Sequence, residues 1–220
     1  MVQLVVIDAS LSEAGSSTRL AHAIRSELPQ EWAVEHVKLR PLARALADSL
    51  LVGFASSELE AVYNGVGRAD AVLVVAPIYQ SSYSGLLKLF LDLLPEGSLR
   101  GVPAIVAATG GSTRHALAVD YALRPLMTYL GAEVATTGIY AAAEDWGAVA
   151  ADSTGEKSGS LRNRIKRAAR QMQKMVEVRI NLAENESVAG GTSSSKSGEV
   201  RGDMFASVTP FANLLAQVET

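Results

Sequence analysis

Short, almost wholly apolar runs alternate with helix-patterned segments along this chain, and that alternation restricts its fold more than any other feature. Val2 to Ile7, Ala71 to Val75 and Val102 to Ala108 read as strands buried on both faces. Ala33 to Leu39 alternates well enough for a second strand, and Glu133 to Tyr140 supplies a fifth. Between them, Leu20, Ala23, Ile24 and Leu28 fall at helical spacing within Thr18 to Leu28, and Ala55 to Arg68 reads as a further helix. Leu86 to Leu94 is closed by Pro95 and Gly97, and Ala116 to Leu130 is stopped by Gly131. Leu161 to Leu182 makes a long last helix with Leu161, Ile165, Ala168, Met172 and Met175 on one face. Five β–α units joined by short loops predict an α/β fold: a doubly wound, five-stranded parallel sheet with right-handed crossovers. The strand order 2-1-3-4-5 then sets the first and third loops across a switch point, where open α/β sheets bind ligands.

One domain is predicted over residues 1–185, with room in 220 residues for a substantial core. From Glu186 to Glu199 the composition turns to Gly, Ser, Thr and Lys, so 186–220 is read as a flexible linker and tail. Apolar residues between Phe205 and Leu215 suit docking on the body or on a second subunit. Arg201-Gly202-Asp203 is taken as a chance match to an adhesion tripeptide. The formal net charge of −3 gives no reason to expect nucleic acid or an anionic membrane as partner. Without cysteine there is no disulfide, thiolate nucleophile or iron–sulfur cluster, so redox chemistry must come from a bound cofactor. No run approaches the ~18 apolar residues of a membrane span, and the amino terminus enters a strand without a basic region, which predicts a cytoplasmic protein.

Three loops fall at the carboxyl edge of the predicted sheet. The first, Asp8 to Thr18, brackets a helix start with the hydroxyls of Ser10, Ser16, Ser17 and Thr18. Free N–H groups and the positive end of the helix dipole there favour a phosphate, although an ordinary Ser/Thr cap explains the pattern equally well. Neither G-x-G-x-x-G nor a P-loop is present, which points to a mononucleotide. The second loop, Pro77-Ile78-Tyr79-Gln80 with Tyr83, ends a buried strand in two tyrosines around three serines. That composition suits a flat, hydrogen-bonding ring such as a flavin. The third, Thr109-Gly110-Gly111-Ser112, lets consecutive amides approach a planar ligand. Histidines stand only at positions 22, 36 and 115, without paired carboxylates at ligand spacing, and no metal site is predicted.

On these residues the chain resembles the NADPH-dependent FMN reductases, and among them the flavin reductases of two-component monooxygenases such as the alkanesulfonate system. The likeness rests on Ser16-Ser17-Thr18-Arg19, on Pro77-Ile78-Tyr79 followed by Tyr83-Ser84-Gly85-Leu86-Leu87-Lys88 and Leu91-Asp92-Leu93-Leu94-Pro95, and on Thr109-Gly110-Gly111 followed by residues 115–126. It covers about residues 1–180. The resemblance implies a flavodoxin-like fold, FMN and NADPH as small-molecule substrates, and a homodimer or homotetramer. It implies that Ser10, Ser16, Ser17 and Thr18 hold the FMN phosphate. Pro77 to Gln80 and Tyr83 line the ring and ribityl chain, and Thr109 to Ser112 meet the pyrimidine edge. Ala9 and Leu11 depart from the family's usual Gly and Pro.

In some relatives the place of Tyr121 carries an inserted tyrosine in a π-bulge; a half-buried tyrosine on an amphipathic helix is an equal reading. Arg19 and Arg114 are candidates for an NADPH 2′-phosphate, with solvated loop arginines the favoured alternative. The expected function is hydride transfer from NADPH to FMN with no catalytic side chain, reduced flavin passing to a partner monooxygenase. Two alternatives stay open at this point: a reductase of quinones or azo compounds that keeps its FMN, and a non-enzymatic flavodoxin-like electron carrier.

Overall fold

The computed structural model describes residues 1–146 and 160–189. Gln3–Asp8 (β1) leads to Ser16–Arg25 (α1), Ala33–Lys38 (β2), Leu39–Val52 (α2), Ser57–Gly67 (α3) and Ala71–Tyr79 (β3). Ser82–Tyr83 (β4) turns back on β3, and Gly85–Asp92 (α4) and Pro103–Gly110 (β5) follow. Beyond them come Arg124–Tyr129 (α5), Glu133–Val134 (β6), Ile139–Ala142 (β7) and Leu161–Ala189 (α6). Parallel pairing runs β2-β1-β3-β5, with both β6 and β7 on the far side of β5. This is the expected 2-1-3-4-5 order, with the fifth strand in two pieces and a short antiparallel strand added.

Period-two alternation along the strands divides the core between the two faces. Val5, Ile7, Val74 and Val106 pack with Leu42 and Leu46 of α2, Leu59 of α3, Phe90 of α4 and Met127 of α5. Leu4, Val6, Leu73 and Ile105 face the other way, onto Leu20 and Ile24 of α1 and Leu161, Ile165 and Met172 of α6. β1, β3 and β5 are buried on both faces, whereas β2 at the edge alternates. Apolar content in each strand therefore tracks its depth in the sheet.

Five segments differ from the sequence expectation. The helix α2 has no counterpart in the sequence reading; it starts directly after β2, with Pro41 in its first turn. Proline is tolerated in a first turn, where its missing N–H would have no partner anyway. Buried Leu39, Leu42, Leu46 and Ser49 keep helical spacing, and left-handed Gly53 ends the helix at φ 82°. The strand β3 runs four residues past Val75 because β5 pairs with it as far as Pro77 and β4 pairs with Ile78 and Tyr79.

The fifth strand breaks over residues 135–138. The Arg124 guanidinium donates to the carbonyls of Ala135 (2.8 Å) and Thr136 (3.0 Å), and the Thr137 N–H donates to Gln171 Oε1 (2.9 Å). Residues 116–130 form no continuous α-helix. A 3-10 turn at Thr113–His115 precedes a π turn at Val119–Leu123, which α5 continues. Arg124 N–H bonds to the Val119 carbonyl, and Pro125 has no N–H to give Tyr121, so the wider turn is accommodated there. Tyr121 sits at the middle of this π turn, as the resemblance implied. The helix α6 reaches Ala189, four residues into the stretch read as linker from Glu186; positions 190–220 lie outside the described residues.

Candidate functional site

The ends of β1, β3 and β5 lie side by side at one edge of the sheet. Ala9 N–H bonds to the Val75 carbonyl, and Pro77 pairs in register with Thr109. The Ser17 hydroxyl meets the Thr109 hydroxyl at 2.7 Å, closing the first loop onto the third. All three loops singled out in the sequence therefore converge.

In the first loop, the N-cap position of α1 is Gly15, in extended conformation, and no side chain caps the helix. The Ser/Thr cap, the alternative reading of this loop, is absent. First-turn amides of Ser16, Ser17 and Thr18 are the orphan donors of a helix start, beside the positive end of its dipole, and suit an external anion. A Cβ at Gly15 would collide with Ser10 Oγ, so glycine lets the loop fold back this tightly. Ser16 is exposed; Ser17 and Thr18 are buried. Three of the four candidate hydroxyls already have partners, Ser17 in Thr109 as above. Ser10 Oγ donates to the Ser12 carbonyl (2.8 Å) and Thr18 Oγ1 donates to Asp8 Oδ2 (2.7 Å).

Asp8 organises this loop, and sequence reasoning passed over it as a loop's first residue. Its carboxylate is 1% exposed. It accepts from Ser10 N–H at 2.9 Å, from the Thr18 hydroxyl, and pairs with His36 Nε2 at 3.3 Å. Burial alone would raise its pKa. The hydrogen bonds from His36, Thr18 and the Ser10 amide, with the charge of His36, outweigh burial and hold the carboxyl below its ordinary value. An acid closing a buried strand just ahead of a Ser/Thr-rich helix start is the signal that could have marked it.

The second loop is a hairpin. Tyr79 pairs with Ser82, and the two-residue turn Gln80–Ser81 has φ of 47° and 65°. Both central residues are left-handed, the type I′ pattern that normally takes Asn-Gly, yet neither is glycine. Pro77 and Ile78 are buried, Tyr79 and Gln80 are exposed at the edge, and the half-buried Tyr83 ring rests on the core beneath. Ser84 accepts from Leu87 N–H and caps α4.

In the third loop Thr109 is buried, Gly110 and Ser112 are half-buried, and Gly111 faces open space. Gly110 is a close approach: a Cβ there would collide with the Tyr140 hydroxyl, which donates to the Ser112 carbonyl at 2.6 Å. Burial, with the charges of Asp145 and Glu144, raises the Tyr140 pKa and keeps this donor protonated. Arg19 is exposed on α1, with its guanidinium 4.4 Å from the centre of the Trp146 ring. Arg114 and His115 are exposed on the 3-10 turn, and the described residues hold no cluster of metal-ligating side chains.

A donor-rich, uncapped helix start beside an aromatic hairpin and an open glycine is a donor set that fits FMN: dianion at one end, flat ring at the other. Known proteins agree in this region. Residues 2–147 match the NADPH-dependent FMN reductase family. The NADH-dependent FMN reductase SfnF of Pseudomonas putida is 38% identical over 147 residues, 66% of this chain and 79% of that protein. An FMN reductase (NADPH) of Pseudomonas aeruginosa is 37% identical over 152 residues, 68% of this chain and 79% of its own length. Among solved structures, an oxidoreductase from Corynebacterium diphtheriae superposes with a TM-score of 0.72 at 33% identity, over 81% of this chain and 98% of that one. The apo form of the NADH:FMN oxidoreductase EmoB gives 0.66 at 26% identity, over 81% and 90%. This chain belongs to the NADPH-dependent FMN reductase family.

Proposed function

We propose that this chain reduces FMN with NAD(P)H, holding the flavin at the convergence of the three loops. The uncapped α1 start, bonded through Ser17 to the third loop, is the observation that carries this reading. The phosphate accepts from the first-turn amides of Ser16, Ser17 and Thr18 and from the hydroxyls of Ser16 and Ser17. Ser10 and Thr18 contribute by shaping the loop, through Ser12 and Asp8. Pro77 to Gln80 and Tyr83 border the ring and ribityl chain; Thr109 to Ser112 present amides to the pyrimidine edge.

Bound there, FMN supplies the redox chemistry by accepting hydride from the nicotinamide. The chain's part is to bind, orient and shield from water. Asp8, the buried carboxylate nearest this edge, is committed to three donors and has no proton to exchange with the site. We take NADPH as the donor, on the resemblance drawn from the motifs.

FMN also behaves as a substrate in this account, because Tyr79 is 49% exposed and Gly111 faces open space, so flavin can enter and leave. Reduced FMN then serves a flavin-dependent monooxygenase, as the motif resemblance implies. Leu117, Tyr121 and Tyr129, all exposed around the π turn, supply an apolar face for a homodimer or homotetramer. No helix among the described residues is long and apolar enough to cross a membrane, and a cytoplasmic location fits use of NADPH.

Aerobic NADPH oxidation, with and without added FMN, tests the reading. A rate that saturates with FMN is expected. Oxidation that needs a quinone or dye but no added flavin would make FMN a tightly held group. Absence of oxidation in every mixture would leave an electron carrier and contradict the proposal.

A further inference from the structure

We infer that a cleft at the ends of β1 and β2, on the side of the phosphate loop away from β3, binds a ribosyl phosphate: the adenylate end of a dinucleotide. The inference rests on the FMN site proposed above. The cleft encloses about 250 Å³ and is lined by Asp8, Ser10, Thr18, Glu13, Lys38 and Arg40, among others. It shares Ser10 and Thr18 with the phosphate loop, so a group lying in it is a direct neighbour of the FMN phosphate.

Its charges are arranged for more than solvent. Lys38 ends β2 and Arg40 stands in the first turn of α2, both exposed. Among the described residues no ion pair engages either. Asp8 is turned to the Ser10 amide, the Thr18 hydroxyl and His36, and makes no direct ion pair with either cation. Glu13, exposed at the rim, is left as an acceptor for sugar hydroxyls. In dinucleotide-binding folds the end of the second strand carries either a carboxylate for the ribose of NAD or an arginine for the 2′-phosphate of NADP. Here Lys38 and Arg40 stand at that strand end, and Glu13 faces the same cleft from the first loop. The volume is below the ~300 Å³ at which pockets begin to hold whole ligands, so it suits part of a longer molecule. FMN has one phosphate and no ribose ring to place there. NADPH and FAD both carry an adenosine phosphate, and the site's chemistry is common to them.

Calorimetric titration of the flavin-free protein with adenosine 2′,5′-bisphosphate and with 5′-AMP tests this, in the wild type and in Lys38→Ala/Arg40→Ala. FMN affinity is measured alongside by fluorescence quenching. Saturable binding is expected, weakened about tenfold or more in the double variant, with FMN affinity changed by less than about twofold. Tighter binding of the bisphosphate than of AMP, with a KM rise for NADPH but not NADH in the variant, assigns the site to NADPH. Equal binding of the two probes, with FAD weakened and FMN unchanged, assigns it to FAD. No saturable binding at millimolar probe, or binding that the double variant leaves unchanged, overturns the inference. An equal fall in FMN affinity also overturns it, since the cleft would then be the FMN phosphate site itself. The titrations need no turnover, so failure of the reductase reading shows separately, as protein that binds FMN yet does not oxidise NADPH.

Discussion

The loop after β1 and the hairpin after β3 border the same site but are built in opposite ways. The first is over-determined: Asp8 fixes Ser10 and Thr18, Ser17 is tied to Thr109, and Gly15 leaves Ser10 just enough room. Nothing in it is strained, and its unused capacity is the set of amides at the start of α1. The hairpin instead holds Gln80 and Ser81 at positive φ, with Tyr79 and Gln80 exposed. One loop offers a rigid set of donors; the other stores backbone strain beneath the exposed edge proposed to border the ring. Strain of this kind persists where the surrounding structure imposes it.

The sharpest way to break this contrast is Asp8→Ala. It strands the Ser10 amide and the Thr18 hydroxyl in a buried place and leaves the half-buried His36 without its partner, and a loss of about 3 kcal/mol in urea unfolding is expected. FMN affinity should fall at least about tenfold with it. The pH dependence follows the same carboxylate. Because its folded pKa is depressed, its contribution to stability is complete above the ordinary value of 3.8 and disappears as pH falls through the lower folded value. Acid unfolding below about pH 4 should therefore be steeper in the wild type than in Asp8→Asn. Equal acid limbs would contradict the role given to Asp8.

Next in size is Gly110→Ala, whose methyl collides with the Tyr140 hydroxyl; about 2 kcal/mol of destabilisation is expected. Adding Tyr140→Phe makes room at the cost of the Ser112 bond, about 1 kcal/mol, so the double variant should be the more stable of the two. Tyr79→Ala and Gly111→Val sit where the chain faces open space, so stability should hold within about 0.5 kcal/mol while FMN affinity drops about tenfold. Unchanged flavin affinity in both would place the ring elsewhere. The smallest effect belongs to Ser81→Gly, which relieves the left-handed turn and should raise stability by about 0.5–1 kcal/mol in thermal unfolding.

These predictions fall on residues that differ in how far they can be read from sequence. The strands of the sheet centre were legible because double burial leaves an unbroken apolar run, and the three loops because their composition is local. Asp8 was not, since its role depends on His36, 28 positions away on a neighbouring strand. The Gln80–Ser81 turn was hidden because its conformation runs against residue preference; pairing of Tyr79 with Ser82 imposes it. No loop separates α2 from β2 to mark the change of period, and the break in the fifth strand depends on Arg124 and Gln171, distant side chains that take over its backbone groups. Lys38 and Arg40 carry no local motif and gain meaning from the cleft they share with the first loop.

A crystal structure of the protein soaked with FMN locates the flavin outright. The phosphate is expected within hydrogen-bonding distance of the Ser16, Ser17 and Thr18 amides, and the ring between Tyr79–Gln80 and Thr109–Gly111. A phosphate seated instead on Lys38 and Arg40, or a ring away from the hairpin, would overturn the proposed FMN site.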